Sequence, residues 1–410
     1  MKVGLRRQTP GFTLGVATLA STLGALPVWL TGALAVFIGA ELGFGAAQQG
    51  AAVSVYFAAA SLTSGFAGVL AEHLGARRAV TVAIGMAMLS LAGIATVATA
   101  WWHLVPFLAI AGAGSAIMQP ATNLALARGV PLGRLGISFG LKQASIPFAT
   151  LLAGVAVPAL GVTVGWRAAF LVAGLTMLAF ALTIPVLPSV TPGQRPQRRA
   201  WNQVRPSLLV LTAGAACGVA AATAMSAFAV TSGIERGLTP GGAGLALALG
   251  SGLSGVVRII VGWFADRRGS SHLPRVAGML VLGAFGAAVV ALAPTGVPFV
   301  FGILLMYGAG WGWNGLFIFS VVRQYPTIPA VATGVSQVGI RAGGVLGPLG
   351  FGIITEQASD VPAWLSVAAS LAIGGGLIVL GRRMLLRERR GATITSTGSL
   401  EDPDPDKERS

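Results

Sequence analysis

Charge is scarce in these 410 residues: 10% are Asp, Glu, Lys or Arg, while 54% are hydrophobic. A soluble domain carries about a quarter charged residues. This chain has too few to cover a water-facing surface, so its solvent is mostly lipid. Cysteine occurs once, at Cys217 in an apolar run, which excludes an intramolecular disulfide and any cysteine-cluster metal site. Cys217 reads as a small packing residue. The three histidines, His73, His103 and His272, fall near the ends of apolar segments in no metal-binding spacing. No Ser/His/Asp, metal or phosphate-loop pattern is present. Neither an enzyme activity nor a cofactor is expected.

What charge there is leans one way, to a net +15. Nucleic acid is not the expected partner, because the cations come in small clusters between apolar runs rather than in one basic face. A bilayer-spanning helix needs about 20 apolar residues. Twelve such spans are expected, near 13–38, 49–71, 79–100, 105–127, 136–160, 166–188, 207–232, 242–264, 276–295, 298–322, 330–355 and 362–381. The first is too long for a signal peptide, and eleven more follow it. With the N-terminus inside, 22 of the 27 Lys and Arg lie in cytoplasmic segments, and only Arg167 and Arg236 lie in outer ones. That asymmetry puts both termini in the cytoplasm. The expected chain is therefore an all-α polytopic protein of the plasma membrane, and a monomer is expected.

Residues 189–206, SVTPGQRPQRRAWNQVRP, form the one long polar interruption and read as a cytoplasmic linker. It divides the chain into a six-helix bundle over 1–188 and a second over 207–382. Residues 383–410 run from a basic stretch into EDPDPDKERS and are expected to be a disordered cytoplasmic tail. The halves are duplicates. A shift of 194 residues brings Gly43, Gly50, Gly68, Glu72, Gly75, Gly140 and Gln143 onto Gly237, Gly244, Gly262, Asp266, Gly269, Gly334 and Gln337. A shift of 196 brings Gly112 and Gly114 onto Gly308 and Gly310. The tight charged knot GWFADRRG at 262–269 is thus the strong copy, and GVLAEHLG at 68–75 the weak copy, of one turn between the second and third helix of each half.

Two six-helix halves, a cytoplasmic linker and a G-x-L-A-D-R-x-G-like turn after helices 2 and 8 resemble the major facilitator superfamily across residues 12–382. GWRAAF at 165–170 and the helix 11 segment GVLGPLGFG at 344–352 (Gly343, Gly347, Pro348 and Gly352 within the pattern) add to the likeness. The resemblance implies two pseudo-symmetric bundles, transport by alternating access, and a gating role for Asp266, Arg267, Arg268, Gly262 and Gly269, with Glu72, Gly68 and Gly75 in the weaker copy. An acid beside a helix end can latch a neighbouring helix N-terminus. The G-x-x-x-G-P pattern marks helix 5 of drug/proton antiporters, whereas helix 5 here reads GLKQASIPFATLLAG. The arginine that those antiporters carry four residues before a helix 4 glycine is Leu108 here, before Gly112.

Three cations lie inside spans: Lys142, Arg258 and Arg341. At 1.5 Å per residue they sit about 12, 12 and 16 Å inward, in a hydrocarbon core of about 30 Å. Each costs about 2.5–3.5 kcal/mol there. All twelve carboxylates fall at helix ends or in the tail, so an anionic cargo is the expected partner, and arginine forks suit carboxylates and other oxyanions. Gln337 stands four residues before Arg341, Gln119 and Asn123 line helix 4 with Ser115, and Asn314 follows Trp311 and Trp313 in helix 10. Such stripes fit the wall of a polar cavity, with the alternative that Arg258 and Lys142 snorkel to the headgroups. A basic residue in helix 8 paired with one in helix 11 also resembles the oxalate:formate antiporter and the monocarboxylate carriers, although the oxalate carrier has lysine where this chain has Arg341. The expected function is transport of a small organic or inorganic anion, with drug or metabolite efflux as the alternative.

Overall fold

In lipid every backbone N–H and C=O must be satisfied within the segment, which leaves helices as the form for a chain this apolar. The computed structural model describes residues 10–131, 135–182, 204–267, 272–326 and 328–398, and they are helical apart from the short turns between helices. The first half holds α1 (Pro10–Ala33), α2 (Ala35–Leu42), α3 (Ala46–Val97), α4 (Trp101–Gly129), α5 (Leu135–Gln143), α6 (Ser145–Ala156) and α7 (Trp166–Ala181). The second holds α8 (Pro206–Glu235), α9 (Pro240–Arg267), α10 (Leu273–Leu292), α11 (Gly296–Leu305), α12 (Asn314–Gln324), α13 (Pro329–Gln357) and α14 (Asp360–Gly398). Ten of the helical stretches are long and apolar enough to cross a membrane. One of them, α3, is two crossings: its 52 residues break at Gly75. The shorter apolar α7 completes twelve.

The crossings alternate between two ends. The near end is where α1 begins and α14 leaves the bundle; the far end carries Gly43, Gly165 and Gly237. Gly43 and Gly237, matched by the internal repeat, both take positive φ, at 68° and 82°. Each turns the chain out of the first crossing of its half. A second correspondence was not marked by the repeat. Arg167 at the start of α7 pairs with Glu41, and Arg236 after α8 pairs with Asp360 at the start of α14. Both ion pairs tie the end of a half's first crossing to the start of its sixth, with the charges exchanged.

Glycines set how closely the halves approach. A Cβ at Gly50 would collide with the carbonyl of Pro348, and one at Gly154 would lie 2.7 Å from Gly244 O. Gly50 and Gly244 are again repeat partners, and each faces the opposite half. Gly343 and Gly347, part of the helix 11 pattern, let α13 lie on α8, where a Cβ would strike Ala216 O and Ala220 O.

One boundary shifts and one expectation changes. The second and third crossings meet at a turn, as expected, but it is confined to a kink at Gly75 (φ 73°, ψ 157°) rather than spread over seven residues. The stretch expected to be disordered from 383 is helical to Gly398, because Leu385 remains packed in the core cluster and Glu388 is bonded to α8. The expected linker lies outside the described residues but for Val204, Arg205 and Pro206, as does the end of the tail.

Candidate functional site

Helix breaks near mid-span free backbone oxygens, and the interior arginines use them. In α9, Arg258 donates from Nη1 to Gln143 O at 2.9 Å and from Nη2 to Trp311 O at 3.0 Å. Gln143 O is available because the residue four positions on is Pro147, which has no N–H to offer. Trp311 O is available because the helix loosens into a π turn over Met306–Gly310 and resumes only at Asn314. Such π segments recur at functional sites. The guanidinium also lies 5.5 Å from the Trp311 ring centroid, within cation–π range. Arg258 is 8% exposed, so it does not snorkel. Its Nε and the hydroxyl of Ser254, one turn before it, are buried without partners among the described residues.

Arg341, twelve residues into α13, donates from Nη1 to Ala60 O at 2.6 Å. Tyr56, one turn from Ala60 on α3, is within electrostatic reach of it and lies beside Ser115. Lys142 is 1% exposed. Its ammonium donates to the amide oxygens of Gln119 and Asn123, the latter at 3.0 Å. Gln143 O thus brings Arg258, from the second half, beside the residue that follows Lys142 in the first. Among the described residues the ion pairs are Glu41–Arg167 and Asp360–Arg236 at the far end. None of the three interior cations forms one.

The structure joins Gln119 and Asn123 to Lys142. It leaves Gln337 and Asn314 half-buried without a described bond to a cation. Of the residues expected to gate, Arg268 and Gly269 lie outside the described residues, and only the backbone of Asp266 and Arg267 is described. A Cβ at Gly68 or Gly262 would meet nothing within 4 Å, so neither glycine is needed for packing in this arrangement. Glu72 makes no ion pair among the described residues.

Most of an aromatic chain beside the arginines escaped the sequence reading, which named only Trp311 of it. Tyr56, Phe57, Trp29, Trp311 and Tyr307 follow one another with ring centroids 5.2–6.0 Å apart. It crosses from the first half to the second, and Trp29 Nε1 is buried without a partner. Aromatics in apolar runs carry no pattern that separates a site wall from core; Trp29's unspent N–H becomes visible only in three dimensions.

Bonds between the halves descend from the far end to the arginines. Glu356 accepts from Ala47 N at 2.8 Å, Gln49 donates to Ala227 O at 2.7 Å, and Ser54 donates to Val345 O at 2.6 Å. The bonds of Arg341 and Arg258 are the deepest of the series. The far end is knit shut.

A family model described as Major Facilitator Superfamily matches residues 17–348. Monocarboxylate transporter 11 of Homo sapiens is 27% identical over 264 residues, covering 60% of this chain and 56% of that protein. The chain thus spans little more than half the length of that relative. Among solved structures, a bacterial homolog of the human lysosomal transporter Spinster, in an inward-facing and unoccupied conformation, superposes with a TM-score of 0.69 at 14% identity, over 92% of this chain and 98% of the other. The nucleoside transporter NupG superposes with a TM-score of 0.69 at 14% identity, over 92% and 99%.

Proposed function

The chain belongs to the major facilitator superfamily, and from that premise we propose that it carries a small organic anion across the bilayer by alternating access. One observation supports this above others. Three cations stand inside the bundle, and none of them meets a carboxylate among the described residues. Their oxygen partners are carbonyls and amides, which satisfy donors but leave the charge uncancelled. Arg258 Nε and Trp29 Nε1 are N–H groups still without acceptors. A carboxylate supplies both the missing charge and two oxygens. The partial likeness to a monocarboxylate transporter agrees with this chemistry.

Arg258 and Arg341 each bond a carbonyl of the opposite half. A bound anion competes with those carbonyls for the guanidinium, so cargo loosens two contacts between the halves as it binds. Lys142, fully buried in its amide cage, then stands near the path rather than acting as a direct ligand. The near end is the cytoplasmic end, following the cation asymmetry.

The test is counterflow of labelled monocarboxylates in proteoliposomes, with and without a pH gradient. Arg258→Gln and Arg341→Gln each lower exchange at least tenfold, since a bond to a charged group contributes about 1.5–3 kcal/mol. Exchange that survives both substitutions, or transport confined to neutral amphipathic compounds, overturns the anion reading in favour of efflux.

A further inference from the structure

The last helix outruns the bilayer. Its 39 residues span about 58 Å at 1.5 Å each, roughly twice the hydrocarbon thickness of about 30 Å. One face of α14 packs inward through Leu371, Ile378 and Leu385, each 3% exposed or less. The opposite face turns exposed apolar side chains to lipid, among them Val379 and Leu380. Along that same line the residue type changes: Arg383, Arg387 and Arg390 follow, all exposed. At 3.6 residues per turn they fall within an arc of about 60°, and Leu386, 40% exposed, lies beside them.

Among the described residues, the acid nearest this stripe along the helix, Glu388, is held elsewhere. Glu388 Oε1 accepts from Ser207 N at 3.1 Å and Oε2 from Ser207 Oγ at 2.6 Å, and Ser207 Oγ is 2.8 Å from the Tyr325 hydroxyl. This network caps the start of α8 and turns the carboxylate to the protein side. Among the described residues, Arg383, Arg387 and Arg390 form no ion pair.

We propose that Arg383, Arg387 and Arg390 form a binding site for anionic lipid headgroups. The stripe continues the lipid-facing line of the same helix, at the level where that line leaves the hydrocarbon. Its charges therefore stand among headgroup phosphates rather than in bulk water, where a soluble partner would meet them. Basic residues next to a membrane helix attract anionic lipid in this way, and guanidinium forks pair with phosphate oxygens. The site lies outside the cargo path and does not depend on what the protein transports.

The experiment measures association of spin-labelled phosphatidylglycerol against spin-labelled phosphatidylcholine with the full-length chain in vesicles. The wild type selects phosphatidylglycerol. The triple variant Arg383→Gln, Arg387→Gln, Arg390→Gln loses at least about tenfold of that selectivity, while the matching triple lysine variant keeps most of it. Arg77→Gln with Arg78→Gln, at exposed arginines of another near-end turn, leaves it in place. A wild type without selectivity, a lysine triple as deficient as the glutamine triple, or a control pair that loses as much overturns the proposal.

Discussion

Single side chains show which parts of the site the sequence can announce. A cation in an apolar run is costly, so Lys142, Arg258 and Arg341 stand out in the bare chain, and the structure places all three inside the bundle. Their partners do not stand out. Gln143 O is free through a missing N–H at Pro147, and Trp311 O through a π turn whose glycines look like the many others in the chain. Glu41 is a simpler case. Donation from Arg167 and then from Trp166 holds its carboxyl below the ordinary value, outweighing partial burial, and the Arg167 charge adds to this. A carboxyl with a depressed folded pKa adds stability above its unfolded value, about 4.3 for glutamate, and loses it as pH falls through the folded one. Glu41→Gln therefore melts at a lower temperature than wild type at pH 7, and the difference shrinks below about pH 4. Equal differences at both pH values in detergent melts contradict this.

Whole elements separate a glycine required by backbone from one required by motion. The repeat matched Gly68 and Gly75 to Gly262 and Gly269, and sequence treats the four alike. The structure does not. Gly75 holds φ 73°, ψ 157°, a region essentially confined to glycine, where another residue costs about 1–3 kcal/mol. Gly68 lies in regular helix with open space around it, where alanine is favoured by roughly 0.8–1 kcal/mol. Gly75→Ala lowers the melting temperature, and Gly68→Ala and Gly262→Ala leave it level or raise it. If the Gly68 and Gly262 variants fold yet lose transport, these glycines serve a state in which the near end closes. The element count was legible because span length and cation placement are one-dimensional signals. The extension of α14 to Gly398 was not, because it depends on contacts across the bundle, such as Glu388 with Ser207.

At the scale of the molecule, the two halves meet along a seam that is tightest at the far end, and the proposed alternating access requires that seam to part. Close glycine contacts at Gly50 and Gly154 bring the halves together, but packing alone does not set when they separate. Glu356 of α13 reaches across to the N-terminus of α3 and accepts from Ala47 N, while Gln48 satisfies Gly45 N beside it. A carboxylate at a helix N-terminus is favoured by the unpaired N–H groups and the helix dipole, and here the helix and the acid belong to opposite halves. Opening the far end breaks that cap together with the bonds from Gln49 and Ser54. Glu356→Ala removes the cap without touching the arginines, so it shifts the population toward a far-open form while leaving the proposed cargo ligands intact. Ser54 is buried in the seam, and a Ser54→Cys reporter in a Cys217→Ser background reads that shift. Its labelling by an impermeant maleimide rises about threefold or more with Glu356→Ala, in line with the loss of one helix cap. Gly50→Val, whose side chain would collide with Pro348 O, raises it further. Labelling that stays at the wild-type rate in both variants means that the far-end seam is held by something other than these contacts.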